Sequence, residues 1–463
     1  MHISGARTSE ARGTLAVLLA IVGIVAGVLA ACGGSTTLPP AATAQPTETR
    51  ASVSVQPSAT AAPLVALARV PGAAPAIAVA DDTPRRTAGS FFPIGVFEDA
   101  NLLDGDTARF ETMIGDLQSH GLDTIMFTNN AADRDAPLLA VSDKLDFGVF
   151  MLPAHDLVRD WWRVDVPENS ATAQRVAAPI VRQLSRHPSL KGYIVADEPR
   201  LESLNKVMLM TQALHQFDRA RPALPILTGI DRVGPIFAAA QPEVLLIDVY
   251  PVGTNNPICD FTMTDFGYDN LDFVGYVRQV TRNKPAETPL WMILQTHSFM
   301  KSLRAPTPTE VRAQQWLAIG EGATGIFWFV YSSQQGWVGL ADNPALYQEV
   351  SALARRVGPL REVLLRTRKV ADTFTIAGGK NPYVSTLASL DGAKSYVVAV
   401  NRDCERTQQL SIGSPVFKVG RLKDLESSQT YALGSPILFQ PGDGRIFEYI
   451  GERAPQAYAQ VIR

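Results

Sequence analysis

The sequence predicts a (β/α)8 (TIM) barrel followed by a small antiparallel β-sandwich. Three observations carry this. Eight short β-branched or aromatic runs alternate with longer amphipathic stretches between residues 90 and 365, as parallel strands joined by helical crossovers require. Beyond residue 365 the pattern changes to short alternating runs separated by Gly, Pro, Asp and Asn turns. The fourth run, Gly192-Tyr193-Ile194-Val195-Ala196, ends in the adjacent carboxylates Asp197 and Glu198 before Pro199. Strand C-terminal ends are where a barrel of this kind places its chemistry.

The eight predicted strands are Phe91–Phe97, Asp123–Phe127, Asp146–Leu152, Lys191–Ala196, Leu224–Gly229, Val244–Tyr250, Pro289–Gln295 and Thr324–Val330. Helices are expected at Thr107–His120, Ala136–Asp143, Ala171–Arg186, Leu201–Ala220, Val233–Ala240, Leu271–Asn283 and Pro308–Gly320, with a last one from Pro344 to about Arg361. The alternative, a doubly wound open sheet, has less support because no Gly-rich phosphate loop follows the first run. In the sandwich, expected over 366–455, the clearest strands are Ser395–Asn401, Gln408–Ile412 and Ile446–Ile450. Their alternation with turn residues suits a half-buried antiparallel sheet.

The first 89 residues carry an address and a tether. Arg7 and Arg12 precede the apolar run Leu15 to Ala31, a charged n-region and an h-region. Leu29-Ala30-Ala31-Cys32 resembles the lipobox of bacterial lipoproteins, which implies a signal peptide over 1–31, a lipid on Cys32 and a domain held outside the cell at a membrane surface. A transmembrane anchor or a plain secretory signal is the alternative. From 32 to 89 the chain is rich in Ala, Pro, Thr and Ser and has too few large apolar residues to build a core, the composition of a disordered tether.

Composition narrows the chemistry. A formal charge of −3 and the lack of any basic run argue against nucleic acid as a partner. There is no CxxC, HExxH or clustered His/Cys pattern, so neither a metal nor a cofactor is expected. Besides Cys32 only Cys259 and Cys404 remain. They fall in different predicted domains and are expected to stay unpaired.

Taken together, the barrel, the acidic end of strand four and the trailing sandwich resemble a glycoside hydrolase, in general form the clan A enzymes and their relatives. The resemblance covers most of the chain after residue 90, and its sharpest motif is Asp197-Glu198-Pro199. Tyr396–Asn401 and Pro441–Phe447 resemble sandwich strands that accompany such barrels. In that clan strand four ends in Asn-Glu-Pro, which implies that Glu198 is the proton donor to the leaving-group oxygen, and that the partner is a carbohydrate. Burial and the adjacent Asp197 would supply the raised pKa an acid needs. The resemblance also implies that Trp328, near the end of strand eight, is the platform under a sugar ring.

The sequence departs from the clan twice. Asp197 stands where the clan has Asn, and Gln295 stands at the end of strand seven, where the nucleophilic Glu is expected. Three readings stay open. An adjacent Asp-Glu pair resembles enzymes of N-acetylated sugars, in which the substrate's acetamido oxygen attacks, Asp197 orients it and Glu198 is the acid; this substrate assistance is a known exception to the two-carboxylate scheme. Alternatively another strand end supplies the second group. Asp248 and Tyr250 share one face of strand six by their spacing, and Glu98 and Asp99 follow strand one. In the third reading hydrolysis is lost and the cleft only binds. Gln295, His297 and Asn129, with its neighbour Asn130, complete the candidate substrate contacts, and Trp161, Trp162 and Trp337 lie in predicted loops on the same side.

Overall fold

The computed structural model describes residues 90–452 apart from 129–131, 152–160, 163–164, 264–267, 269 and 335. Cys32 and Asn129, with the tether, therefore lie outside the described residues. The first strand β1 (Ile94–Asp99) is followed by β2 (Thr124–Thr128), β3 (Gly148–Met151), β4 (Leu190–Asp197), β5 (Ala223–Leu227), β6 (Leu245–Val249) and β7 (Leu290–Gln295). A two-residue strand β8 (Ser298–Phe299) intervenes before β9 (Ala323–Phe329), the eighth barrel strand, and β10 (Trp337–Val338) pairs back with β8. Strands β1 to β7 and β9 close into a barrel in sequence order, every pair parallel. The expected TIM barrel is present.

Helices α1 (Thr107–Ser119), α2 (Ala132–Leu145), α3 (Ser170–Leu184), α4 (Leu204–Phe217), α5 (Ile230–Ala240), α6 (Phe273–Thr281), α7 (Pro308–Gly320) and α8 (Pro344–Val357), with the short α9 (Arg361–Leu365), cover the outside. Side-chain caps start several of them: Asp106 for α1, Asn169 for α3, Asp272 for α6 and a Thr307–Glu310 capping box for α7. Each satisfies backbone N–H groups that the first turn leaves without partners.

Strand residues divide by period two. Phe97, Met126, Phe150, Ile194, Leu224, Ile226, Leu246, Trp291, Ile293 and Phe327 fill the barrel interior. Their strand neighbours, such as Val96, Val195, Ile247, Met292 and Trp328, pack outward against the helices. One irregularity matters for the site. The β4–β5 register shifts between Ile194 and Ala196, so Ile194 pairs with Leu224 but Asp197 pairs with Ile226. This bulge inserts one residue into β4, and Asp197 joins the inward-facing set with Ile226 instead of pointing outward.

After the barrel come β11 (Thr367–Lys369), β12 (Thr375–Ala377), β13 (Tyr383–Ser389), β14 (Ser395–Val400), β15 (Gln408–Gly413), β16 (Gly420–Asp424), β17 (Thr430–Ala432), β18 (Pro436–Phe439) and β19 (Gly444–Gly451). They form a six-stranded sheet, β11-β13-β14-β19-β16-β17, and a three-stranded one, β12-β15-β18. Between the sheets lie Phe374, Val397, Leu410, Phe417, Phe439, Phe447 and Tyr449. The sandwich expected from the sequence is present too. Its larger sheet docks on α7, which is why that helix buries residues on every side, Gln314 and Gln315 included. The approach is close: a Cβ on Gly444 would lie 2.3 Å from Cβ of Trp316. Gly444→Ala is expected to cost about 1–3 kcal/mol, the usual range for overpacking, read as a lower denaturation midpoint with an unchanged slope.

The expectation of unpaired cysteines is corrected. Cys259, in the loop after β6, forms a disulfide with Cys404, in the loop after β14, with Cα atoms 5.7 Å apart. Sequence separation and assignment to different domains hid the pairing; docking of the sandwich on the barrel brings the two loops together. Cys404→Ser should lower stability by about 2–4 kcal/mol, measured by denaturant unfolding with and without reductant. Reductant should then affect the parent but not the variant.

Candidate active site

Three carboxyl groups meet at the C-terminal end of the barrel. Asp248 lies two residues beyond the interior residue Leu246 on β6, faces inward and is 2 % exposed. Asp197 reaches the same space because of the bulge. Glu198 follows with φ at 43°, a left-handed backbone that a residue with a long side chain rarely adopts and that typically costs of order 1 kcal/mol or more. Its N–H is held by the carbonyl of Ile226 at 3.0 Å. The turn brings its carboxyl within hydrogen-bonding reach of Asp248 instead of leaving it over the neighbouring helix.

The electrostatics follow from crowding. Burial pushes the Asp248 carboxyl well above the usual range; the charge of Glu198, the hydrogen bond to Glu198 and the charge of Asp197 push it further. Asp197 opens onto solvent at the mouth yet is ringed by protein, and that desolvation, with Glu198 beside it, raises it to about 7. Among the described residues no Lys or Arg forms an ion pair with any of the three. One buried oxygen, Oδ1 of Asp248, has no hydrogen-bond partner among the described residues. Unpartnered buried polar atoms are uncommon, and at a cleft they point to a group that arrives with the ligand.

These shifts have a consequence for stability. Carboxyls raised in the folded state bind protons more tightly there than in the unfolded chain. Their contribution is complete below about pH 4, the ordinary carboxylate value, and is lost as pH rises through 7. Thermal stability is therefore expected to fall between pH 5 and pH 8. Asp248→Asn should flatten that slope and raise the midpoint at pH 8, as differential scanning calorimetry of both proteins would show.

Tyr250, the next inward residue after Asp248, is half-buried, and burial together with the three carboxyls keeps its phenol protonated. Its ring meets His297 edge-on, centroids 4.9 Å apart. His297 is 2 % exposed and donates from Nδ1 to the Phe329 carbonyl at 3.0 Å. Burial lowers it to about 4, so the ring is neutral and Nε2 carries a lone pair. Tyr268 and Tyr276 stand behind Asp248, with Tyr268 hydroxyl 3.2 Å from Thr228 and Tyr276 hydroxyl accepting from the Gly229 N–H at 3.0 Å.

Two candidates have a different role from the one the sequence suggests. Gln295 is fully buried and its amide is spent on backbone: Oε1 accepts from Val252 N–H at 2.8 Å, and Nε2 reaches the carbonyls of Val252, His297 and Arg304 at 3.2, 3.2 and 3.0 Å. It ties the loops after β6 and β7 together and has no hydrogen-bonding capacity left for a substrate. Trp328 is also fully buried and packs outward against the helices. Period two gives the inward, mouth-facing place to its neighbour Phe329, whose ring lies 5.0 Å from Phe97 and 5.7 Å from Tyr250. The same alternation turns Glu98 outward. It is fully buried, accepts from Ser332 N–H at 3.1 Å and hydroxyl at 2.6 Å, and is raised to about 7 by burial. It anchors the loop after β9 and does not face the carboxyl cluster. Trp161 is core, with Lys206 over its ring.

No protein-family model matches the sequence, and no curated protein matches it. Among the solved structures that share the fold are two that cover most of the chain. A glycoside hydrolase family 5 protein from Bacteroides vulgatus superposes with a TM-score of 0.52 at 10 % identity, covering 81 % of this chain and 94 % of that one. A structure described as a glycoside hydrolase gives 0.53 at 10 % identity over 79 % and 94 %. At that identity the likeness is one of architecture. What is shared is the fold, and this chain's is a (β/α)8 barrel with an appended sandwich.

Proposed function

We propose that the protein is an extracytoplasmic glycoside hydrolase that cleaves N-acetylated oligo- or polysaccharides with the substrate's own acetamido group as nucleophile. The observation that carries this is the convergence of Asp197, Glu198 and Asp248 on one space at the barrel mouth, where burial and mutual repulsion raise Asp248 and Asp197. Gln295 is committed to the backbone, so strand seven offers no nucleophile. The missing electron pair is then best supplied by the ligand.

In this mechanism the acetamido carbonyl oxygen attacks the anomeric carbon as the glycosidic C–O bond breaks. Glu198 gives its proton to the departing oxygen and is left as the carboxylate, beside an Asp248 whose own proton affinity is raised by burial and by that charge. Asp197 accepts from the acetamido N–H and steadies the positive charge that develops on the ring formed. Tyr250 has a phenol O–H beside the carboxyls to hold the acetamido oxygen in line. Water then opens the ring with Glu198 as base.

The barrel architecture shared with glycoside hydrolases supports a carbohydrate substrate. The lipobox at Cys32 and the Cys259–Cys404 disulfide support a lipid-anchored location outside the cytoplasm, where disulfides persist. Aryl N-acetylhexosaminides assayed beside the matching aryl hexosides test the reading. Release of the aryl group from the N-acetylated set alone is expected. Cleavage of plain hexosides at equal rate would assign the nucleophile to the protein. Saccharide binding without any product would favour a binding protein on a degenerate barrel, a reading the locked Gln295 also suits.

A further inference from the structure

We propose that the two-stranded β8–β10 sheet, through Trp337 and Phe299, forms a subsite that stacks on a second pyranose ring of the substrate, next to the ring held at the carboxyls. The inference rests on the glycosidase reading above and adds what recognises the neighbouring ring.

This small sheet is a built element. β8 and β10 pair antiparallel, Phe299 with Trp337 and Ser298 with Val338. The Met300 N–H donates to the Gly336 carbonyl at 2.9 Å, and Gln334 and Trp337 bridge to each other. Below it, Ser332 is tied to the buried Glu98. The loops after strands seven and eight are thereby fused into one platform over the barrel mouth, and little ordering is left to be done on binding.

From that platform an aromatic wall runs back to the carboxyls. Trp337 lies 4.9 Å from Phe299, 5.5 Å from Phe329 and 6.4 Å from His297, ring to ring. His297 and Phe329 in turn meet Tyr250, the residue two beyond Asp248. The wall ends at solvent with Met300 60 % and Val338 44 % exposed. Trp161, Trp291, Trp316 and Trp328 are all fully enclosed, whereas Trp337 keeps an accessible face. A tryptophan that is held in place, open on one side and continuous with the carboxyl cluster offers a flat apolar face with negative π density. The axial C–H face of a pyranose is its complement. The carboxyls take the sugar that is attacked; Trp337, one ring further out than His297, takes the ring next to it.

The test uses the full chain and two probes. One is the N-acetylated trisaccharide of chitin, whose leaving group is a sugar. The other is N-acetylglucosaminyl fluoride, which has no second ring to reach Trp337. Trp337→Ala should lower kcat/KM on the trisaccharide about tenfold, equivalent to about 1.4 kcal/mol, chiefly through KM, and leave the fluoride within about twofold. Trp337→Phe should recover most of the loss. An equal fall on both probes would mean a structural role for Trp337, and no change on either would mean no contact; both overturn the subsite. If neither probe is turned over, calorimetric binding of the trisaccharide decides. Binding by the parent that Trp337→Ala weakens about tenfold upholds the subsite while the hydrolase reading fails. Binding that the substitution leaves unchanged, or no binding by the parent, overturns it.

Discussion

Glu198→Gln is expected to lower kcat by about a hundredfold or more on any substrate whose leaving group needs a proton, the usual contribution of a positioned general acid. The glutamine keeps the shape of the side chain and its hydrogen-bonding reach but cannot transfer the proton. The left-handed backbone at residue 198, with φ at 43°, is retained, so the variant should fold as the parent does. Activated substrates separate this role from a structural one. An aryl glycoside with a very acidic phenol should lose far less than one with a poor leaving group. A uniform loss across leaving groups would remove Glu198 from the acid's role.

The second large effect is at Gln295. Installing Glu there would place a carboxylate where the clan A resemblance expects a nucleophile, and activity on plain hexosides would be the naive outcome. The structure predicts loss of stability instead. Gln295 Nε2 donates toward three carbonyl oxygens, those of Val252, His297 and Arg304. A carboxylate would face all three with no proton to give, fully buried. Leaving buried polar groups unpaired costs about 1–3 kcal/mol each, and a buried charge costs more. Gln295→Glu is therefore expected to lose about 3–5 kcal/mol at pH 8, the range for an uncompensated buried charge, and less at pH 5, where the new carboxyl takes up a proton. Unfolding in urea at the two pH values checks this. A variant as stable as the parent that hydrolyses hexosides would show that the amide is not the loop clasp described here.

Much of the fold was readable because its signals are local and repeated. Eight apolar runs separated by amphipathic stretches leave few alternatives to a closed parallel barrel, and turn residues between short alternating runs mark the sandwich. The site was readable in part. Asp197, Glu198 and Asp248 stand out as acids ending apolar strands, and the structure brings them together. What the sequence hid depends on phase and on distant contacts. The bulge in β4 leaves no mark in a run of apolar residues, yet it decides that Asp197 faces inward. Without the strand boundaries Trp328 and Phe329 exchange faces, and the sequence reading put at the mouth a tryptophan that is buried against the helices. Gln295 looked like a modified nucleophile because its partners are carbonyls 43 residues upstream in Val252 and nine residues downstream in Arg304. The Cys259–Cys404 bond spans 145 residues and appears only when the sandwich docks. The β8–β10 pair is two residues a side, too short for any periodicity to register.

The central claim, that the substrate supplies its own nucleophile beside a coupled Glu198–Asp248 pair, is tested most directly by an aryl N-acylhexosaminide series. The acetyl group carries zero, one, two or three fluorines, each withdrawing electron density from the carbonyl oxygen. The account predicts that kcat/KM falls steeply with every fluorine added, by orders of magnitude across the series. A flat series, with the trifluoroacetyl substrate cleaved as fast as the acetyl one, would mean that a protein group or water attacks, and would contradict it.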